Sequence, residues 1–168
     1  MKPFGLQQMI RTLILLIIVL LAQTRLYAHV EHHKEEPGVG LDEKLGQTVP
    51  LDLTFYDENA NPVSLRQLIQ KPTVLAPVYY SCPDVCGFLL YNLAGALNQL
   101  SSEPGKEYQV LAVSFDETEK PPLALEKKRL YLKMIEKPFP EEAWRFLTGE
   151  EGNIRKLTEA IGFRFKRV

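Results

Sequence analysis

Hydrophobic and polar positions follow two rhythms along this chain. Apolar runs with the length of a buried strand occur at 73–80 (Thr-Val-Leu-Ala-Pro-Val-Tyr-Tyr) and 108–114 (Tyr-Gln-Val-Leu-Ala-Val-Ser). Between them, leucines at 89, 90, 93, 97 and 100 recur at helical spacing, which predicts a helix ending near Leu100. A second helix is predicted over 123–136, opened by Pro121-Pro122 and broken by Pro138-Phe139-Pro140. Its Leu130, Tyr131, Met134 and Ile135 should face inward, and Glu126, Lys127, Lys128 and Lys133 should face water. Residues 144–147 read as a short strand. Asn153 reads as the cap of a helix carrying Ile154, Leu157 and Ile161 on one side, and 163–168 alternates as a strand does. Upstream, 48–53 alternates around Val49, Leu51 and Leu53. Phe55-Tyr56 then runs into the turn-rich tract 57–62 before Val63-Ser64-Leu65, which predicts a β-hairpin, with Ser64 capping a short helix over 65–70.

The order is hairpin, then strands alternating with helices, which argues for an α/β layer fold. The strands at 73–80 and 108–114 should be adjacent and parallel, with an unprotected sheet edge near 163–168. The two cysteines of the chain, in Cys82-Pro83-Asp84-Val85-Cys86, fall where the first buried strand turns into a helix. Four residues apart, they are expected to share one helix face, where helix-end N–H groups and the macrodipole stabilise thiolate. Such a pair suits redox or soft-metal chemistry, and at the first strong strand–helix junction it narrows the class to the thioredoxin-like group.

The N-terminus changes the compartment. Lys2 and Arg11 form a basic region, 12–22 is an apolar stretch of signal-peptide length, and Leu26-Tyr27-Ala28 offers a cleavage site. We read 1–28 as a signal peptide, with an uncleaved membrane anchor as the alternative, 29–46 as a flexible leader and 47–168 as the domain. Of 20 basic residues, Lys2, Arg11 and Arg25 lie in 1–28. The remaining 17 face 21 acidic ones, a formal charge of −4 that leaves no basic patch for nucleic acid. In an oxidising compartment two cysteines usually form a disulfide. A bridge across so short a loop adds little stability, so a cycled or metallated pair is the better reading.

At these residues the sequence resembles the Sco/SenC family of exported, thioredoxin-like copper proteins that assist cytochrome c oxidase assembly. The resemblance is carried by Val78-Tyr79-Tyr80, the Cys82–Cys86 motif, Val113-Ser114-Phe115-Asp116 and the run Trp144-Arg145-Phe146-Leu147-Thr148-Gly149. It implies a three-layer fold with an N-terminal hairpin, Cys82 and Cys86 as ligands of one copper ion, and Asp116 as a supporting group behind them. It also implies a Cys82–Cys86 disulfide in the oxidised form. The implied partner is cytochrome c oxidase subunit II or a related exported copper-site protein. The implied location is the periplasm or the outer face of the inner membrane, with membrane association through the N-terminal segment. Gly87 and Glu117 stand where many relatives carry proline. In the family the third ligand is a histidine beyond the final helix. This sequence ends at Val168 with no histidine after His33, so the expectation is a domain lacking that ligand, the closing strands and the last helix.

Other chemistries fit the same residues. A metal-free thiol–disulfide oxidoreductase would use Cys82 to attack and Cys86 to resolve. A peroxiredoxin-like enzyme would need threonine where Tyr79 stands. A non-catalytic interaction domain needs no chemistry at all. Zinc wants four ligands and the core supplies two. His29, His32 and His33 resemble a metal-binding tract, though an ordinary polar leader is the simpler reading.

Overall fold

The computed structural model describes residues 38–83 and 85–166, together with Gly5, Ile10, Arg11, Leu13 and Ile14. The chain divides into two units, Met1–Glu36 and Pro37–Val168. Of the first, the described positions are helical, and among the described residues no helix is long and apolar enough to cross a membrane. The signal-peptide assignment and the leader as far as residue 37 otherwise lie outside the described residues.

The second unit is built on a parallel sheet of three strands, β4 (Thr73–Val78), β5 (Gln109–Ser114) and β6 (Trp144–Leu147), in that order. Thr73 stands opposite Gln109 and Val78 opposite Ser114, so the two apolar runs are adjacent and parallel as expected. Both faces of β5 are covered, which is why it reads as a continuous apolar run. Val110 and Ala112 point into one core with Leu90 and Leu97 of helix α2 (Val85–Gln99) and Ala124 and Tyr131 of helix α3 (Pro121–Leu132). Leu111 and Val113 point into the other, with Phe55, Leu65 and, from helix α4 (Glu151–Ala160), Ile154 and Leu157. Helices, sheet and helix-plus-hairpin give three layers, the thioredoxin-like arrangement.

Two short ladders complete the unit. The hairpin forms around the turn-rich tract as expected, pairing β2 (Thr54–Tyr56) with β3 (Pro62–Ser64), while the alternating 48–53 lies outside the ladder. Leu51 and Leu53 cover the second core from loop conformation. Ser64 does cap a helix, α1 (Leu65–Leu68), in a reciprocal capping box with Gln67, but that helix stops two residues short of 70. β7 (Phe163–Arg164) is not an edge of the parallel sheet. It pairs antiparallel with β1 (Gly40–Leu41), which the sequence assigned to the leader. The edges of the parallel sheet are β4 and β6, each pairing among the described strands with β5 alone, and just past β6 Thr148 bridges to Tyr56. Pro72 and Val78 carbonyls accept from Gln109 and Phe115 on the β5 side. By alternation, residues 73, 75 and 77 face outward, and Pro77 has no N–H to offer there, the position in a sheet where proline is tolerated.

Three side chains depart from their expected roles. Lys128 is buried, and its Nζ lies 2.5 Å from Glu58 Oε1. Arg145 reaches the same carboxylate at 3.1 Å and Asp57 at 2.7 Å, so two acids and two bases lock the hairpin turn to α3 and β6. Lys128 shares a face with Ala124 and Tyr131 at spacings of four and three, while Leu130, expected inside, is exposed. Asn153 lies within α4, whose cap is Glu150, and its Nδ2 donates to the Thr54 carbonyl.

Candidate functional site

β4 ends at Val78, and the chain turns at once. The Cys82 N–H donates to the Tyr79 carbonyl at 3.3 Å, and α2 begins at Val85. Cys86 therefore sits in the first turn of the helix and Cys82 in the loop before it, not on a shared helix face. What joins them is the turn. Both are half-buried free thiols, near enough for each to act electrostatically on the other. The Tyr79 N–H donates to Cys86 Sγ at 3.4 Å, and the Tyr79 hydroxyl lies within the electrostatic reach of both sulfurs. Tyr79 stacks edge-on against Phe115, 5.8 Å between ring centres, closing one side of the pair.

Burial pushes the Cys86 thiol above its ordinary pKa. The Tyr79 N–H pulls the other way, while Cys82 and the Glu119 charge add to the rise. The expected thiolate stabilisation by the helix end is thus outweighed at Cys86, since desolvation disfavours the charged form. Burial, then the neighbouring Cys82, raises the Tyr79 hydroxyl as well.

Asp116 and Glu119 divide the acidic chemistry behind the pair. The Asp116 carboxylate accepts from the Thr118 N–H at 2.8 Å and hydroxyl at 2.6 Å, building the turn after β5. That turn delivers Glu119, which sequence reasoning missed. Glu119 is 5% exposed and accepts from the N–H groups of Tyr80 and Ser81 at 2.8 and 2.7 Å. The hydroxyls of Ser81 and Ser114 complete its shell at 2.7 and 2.6 Å. The sole sequence signal was an acid just ahead of the Pro121-Pro122 helix start, which says nothing of burial. The buried Tyr80 hydroxyl, 2.9 Å from the carbonyls of both Ala112 and Leu147, ties the end of this turn to β5 and β6.

Among the described residues no group of three or more His, Cys, Asp and Glu is placed to hold a metal ion. The site as described is a two-sulfur donor set. His29, His32 and His33 lie outside the described residues.

A search of curated proteins by sequence gives no match. Solved structures do match. A candidate electron transport protein from Aquifex aeolicus superposes with a TM-score of 0.64 at 27% identity, over 74% of this chain and 75% of that one. A candidate electron transfer protein from the same organism gives 0.63 at 28%, over 73% and 74%. Arabidopsis thaliana ScoI, solved with copper bound, shares the fold at 0.51 and 22%, over 65% and 63%. The SCO1/SenC family model matches residues 42–168, which takes in the hairpin, the three-stranded sheet and the cysteine turn, and the chain belongs to that family.

Proposed function

We propose that this protein is an exported copper(I) carrier that holds one ion between Cys82 and Cys86. It would pass that ion to the copper site of cytochrome c oxidase subunit II or a related exported protein. The observation that carries the reading is the placement of two half-buried thiols at the two ends of one hydrogen-bonded turn, where the Tyr79 N–H donates to Cys86 Sγ and the Cys82 N–H to the Tyr79 carbonyl. A soft monovalent ion accepts two sulfur ligands, whereas copper(II) and zinc want nitrogen or further donors. The residues present therefore fit copper(I). Family membership supports copper as the cargo, and the copper-bound ScoI structure shows a relative of the same fold carrying it. Uptake replaces both thiol protons with the ion. A disulfide has already surrendered those protons with two electrons, so the oxidised pair should take up no copper.

Export to the periplasm, or tethering at the outer face of the inner membrane, belongs to the same reading and rests on the signal-like segment 1–28. Asp116 enters it as the residue that shapes the turn behind the ligands.

The decisive measurement is copper stoichiometry on the reduced protein. One copper(I) per chain is expected, lost in both Cys82→Ala and Cys86→Ala. The same pair of thiols equally suits a metal-free thiol–disulfide oxidoreductase, and two mixtures separate the readings. Copper passing from the copper-loaded protein to a reduced, copper-free client supports the carrier. If the reduced protein never binds copper but, mixed with a client in disulfide form, yields two client thiols while Cys82 and Cys86 become a disulfide, the oxidoreductase stands instead.

A further inference from the structure

We propose that Glu119 is a positioning residue for the Cys82–Cys86 pair: its buried carboxylate pins the backbone on which Cys82 stands and so sets how readily the two sulfurs join. The inference rests on the reading of the pair as redox-competent, and it does not require copper.

Burying a carboxylate is costly unless its lone pairs are filled. Among the described residues no lysine or arginine pairs with Glu119. Its charge is held by four donors, and three of these belong to Tyr80 and Ser81, the two residues directly before Cys82. The Tyr79 N–H is taken by Cys86 Sγ and the Cys82 N–H by the Tyr79 carbonyl, so every N–H from 79 to 82 is engaged. The turn is anchored at both ends and in the middle, and the middle anchor is Glu119. A loop held this way keeps Cys82 against Cys86 before any bond forms, which raises the effective concentration of one sulfur at the other. Holding the sulfurs together in advance favours the disulfide over the dithiol.

The couple is measured on the metal-free protein in glutathione buffers. Glutathione disulfide accepts two electrons and the two thiol protons and leaves as two glutathione thiols, while one S–S bond forms between Cys82 and Cys86. For Glu119→Gln, the equilibrium constant for disulfide formation is expected to fall about tenfold, a shift of about 30 mV towards a more oxidising couple. Ser81→Ala removes only the hydroxyl contact and should move the constant about two- to threefold in the same direction, the worth of half a kilocalorie or so in one hydrogen bond. A folded Glu119→Gln protein with an unchanged constant, or a shift the other way, overturns the proposal. A lowered melting temperature with the couple unmoved does the same, because that is the signature of a merely structural role. Should Glu119→Gln fail to fold, Ser81→Ala decides: a shift supports the proposal, and an unchanged constant overturns it. Copper stoichiometry is scored separately. A wild type that binds no copper but whose couple responds to Glu119→Gln sinks the carrier reading and leaves this one standing.

Discussion

Asp57 opens the hairpin turn, and its carboxylate is the centre of that turn. Its Oδ1 accepts from the N–H groups of Asn59 and Asn61, and Oδ2 meets Arg145 at 2.7 Å. Burial pushes this carboxyl up, but the Asn61 and Asn59 hydrogen bonds and Arg145 outweigh it and hold the pKa below its ordinary value. The folded protein therefore releases this proton more readily than the unfolded chain does. The resulting stability is fully present above the unfolded carboxyl pKa of about 3.9 and is lost as pH falls through the folded value. Asp57→Asn should cost about 1–2 kcal/mol at pH 7, the difference between charge-assisted and neutral hydrogen bonds. The gap to wild type should close in urea titrations below about pH 4. A constant gap from pH 7 to pH 2 would remove the carboxylate from the account. Lys128 makes a sharper case. Lys128→Met strands a buried Glu58 with only Arg145 opposite it, so a loss of about 3–5 kcal/mol is expected by chemical denaturation. A loss within the range of a surface substitution, below about 0.5 kcal/mol, would mean that the network contributes little.

Elements were legible where one rhythm dominated a window. The first two parallel strands and the long helix after the cysteines could be placed because a short continuous apolar run and a 3.6-residue period do not compete there. The hairpin was legible at its turn, but the start of its first strand was not, because 48–53 alternates as well as 54–56 does. A single sequence cannot tell apolar residues that cover a core from loop conformation from those that sit in a ladder. The cysteine pair was legible, and its turn was not. Cys82 stops short of the helix, and Glu119 arrives from a loop 37 positions away, through contacts that no local pattern encodes. At the end of α4, Gly162 adopts φ +74, and a Cβ there would stand 1.8 Å from the Asp42 carbonyl oxygen. The close approach exists because the Asp42 N–H donates to the Gly162 carbonyl at 2.8 Å, extending the β1–β7 ladder. Gly162→Ala should cost about 2–4 kcal/mol, from the left-handed backbone plus overpacking. Amide exchange should show the loss first at Asp42. Unchanged exchange there would place the strain elsewhere.

For the whole molecule, the proposed copper site consists of two sulfurs on a layered α/β frame, and the question is what supplies any third donor. His29, His32 and His33 are the chain's complete set of imidazoles. We expect deletion of 29–36 to leave copper(I) affinity and the Cys82–Cys86 couple unchanged, and to leave copper(II) binding weak in both forms. A loss of copper(II) affinity of tenfold or more on deletion, measured by competition with a chelator, would assign the third ligand to the leader. The short ladder between β1 and β7 also has a kinetic meaning. Gly40 and Arg164, its paired residues, are 124 positions apart, and the ladder is two residues long. Few contacts set against a long closure make it a late event in folding and an early one in local opening. Val39, Leu41, Phe163 and Phe165 line one apolar groove with Tyr79, the residue that touches both cysteines. Fraying of that clasp thus unroofs the flank of the thiol pair while the parallel sheet stays intact, and the access rate of bulky reagents to Cys82 and Cys86 becomes a clock for it.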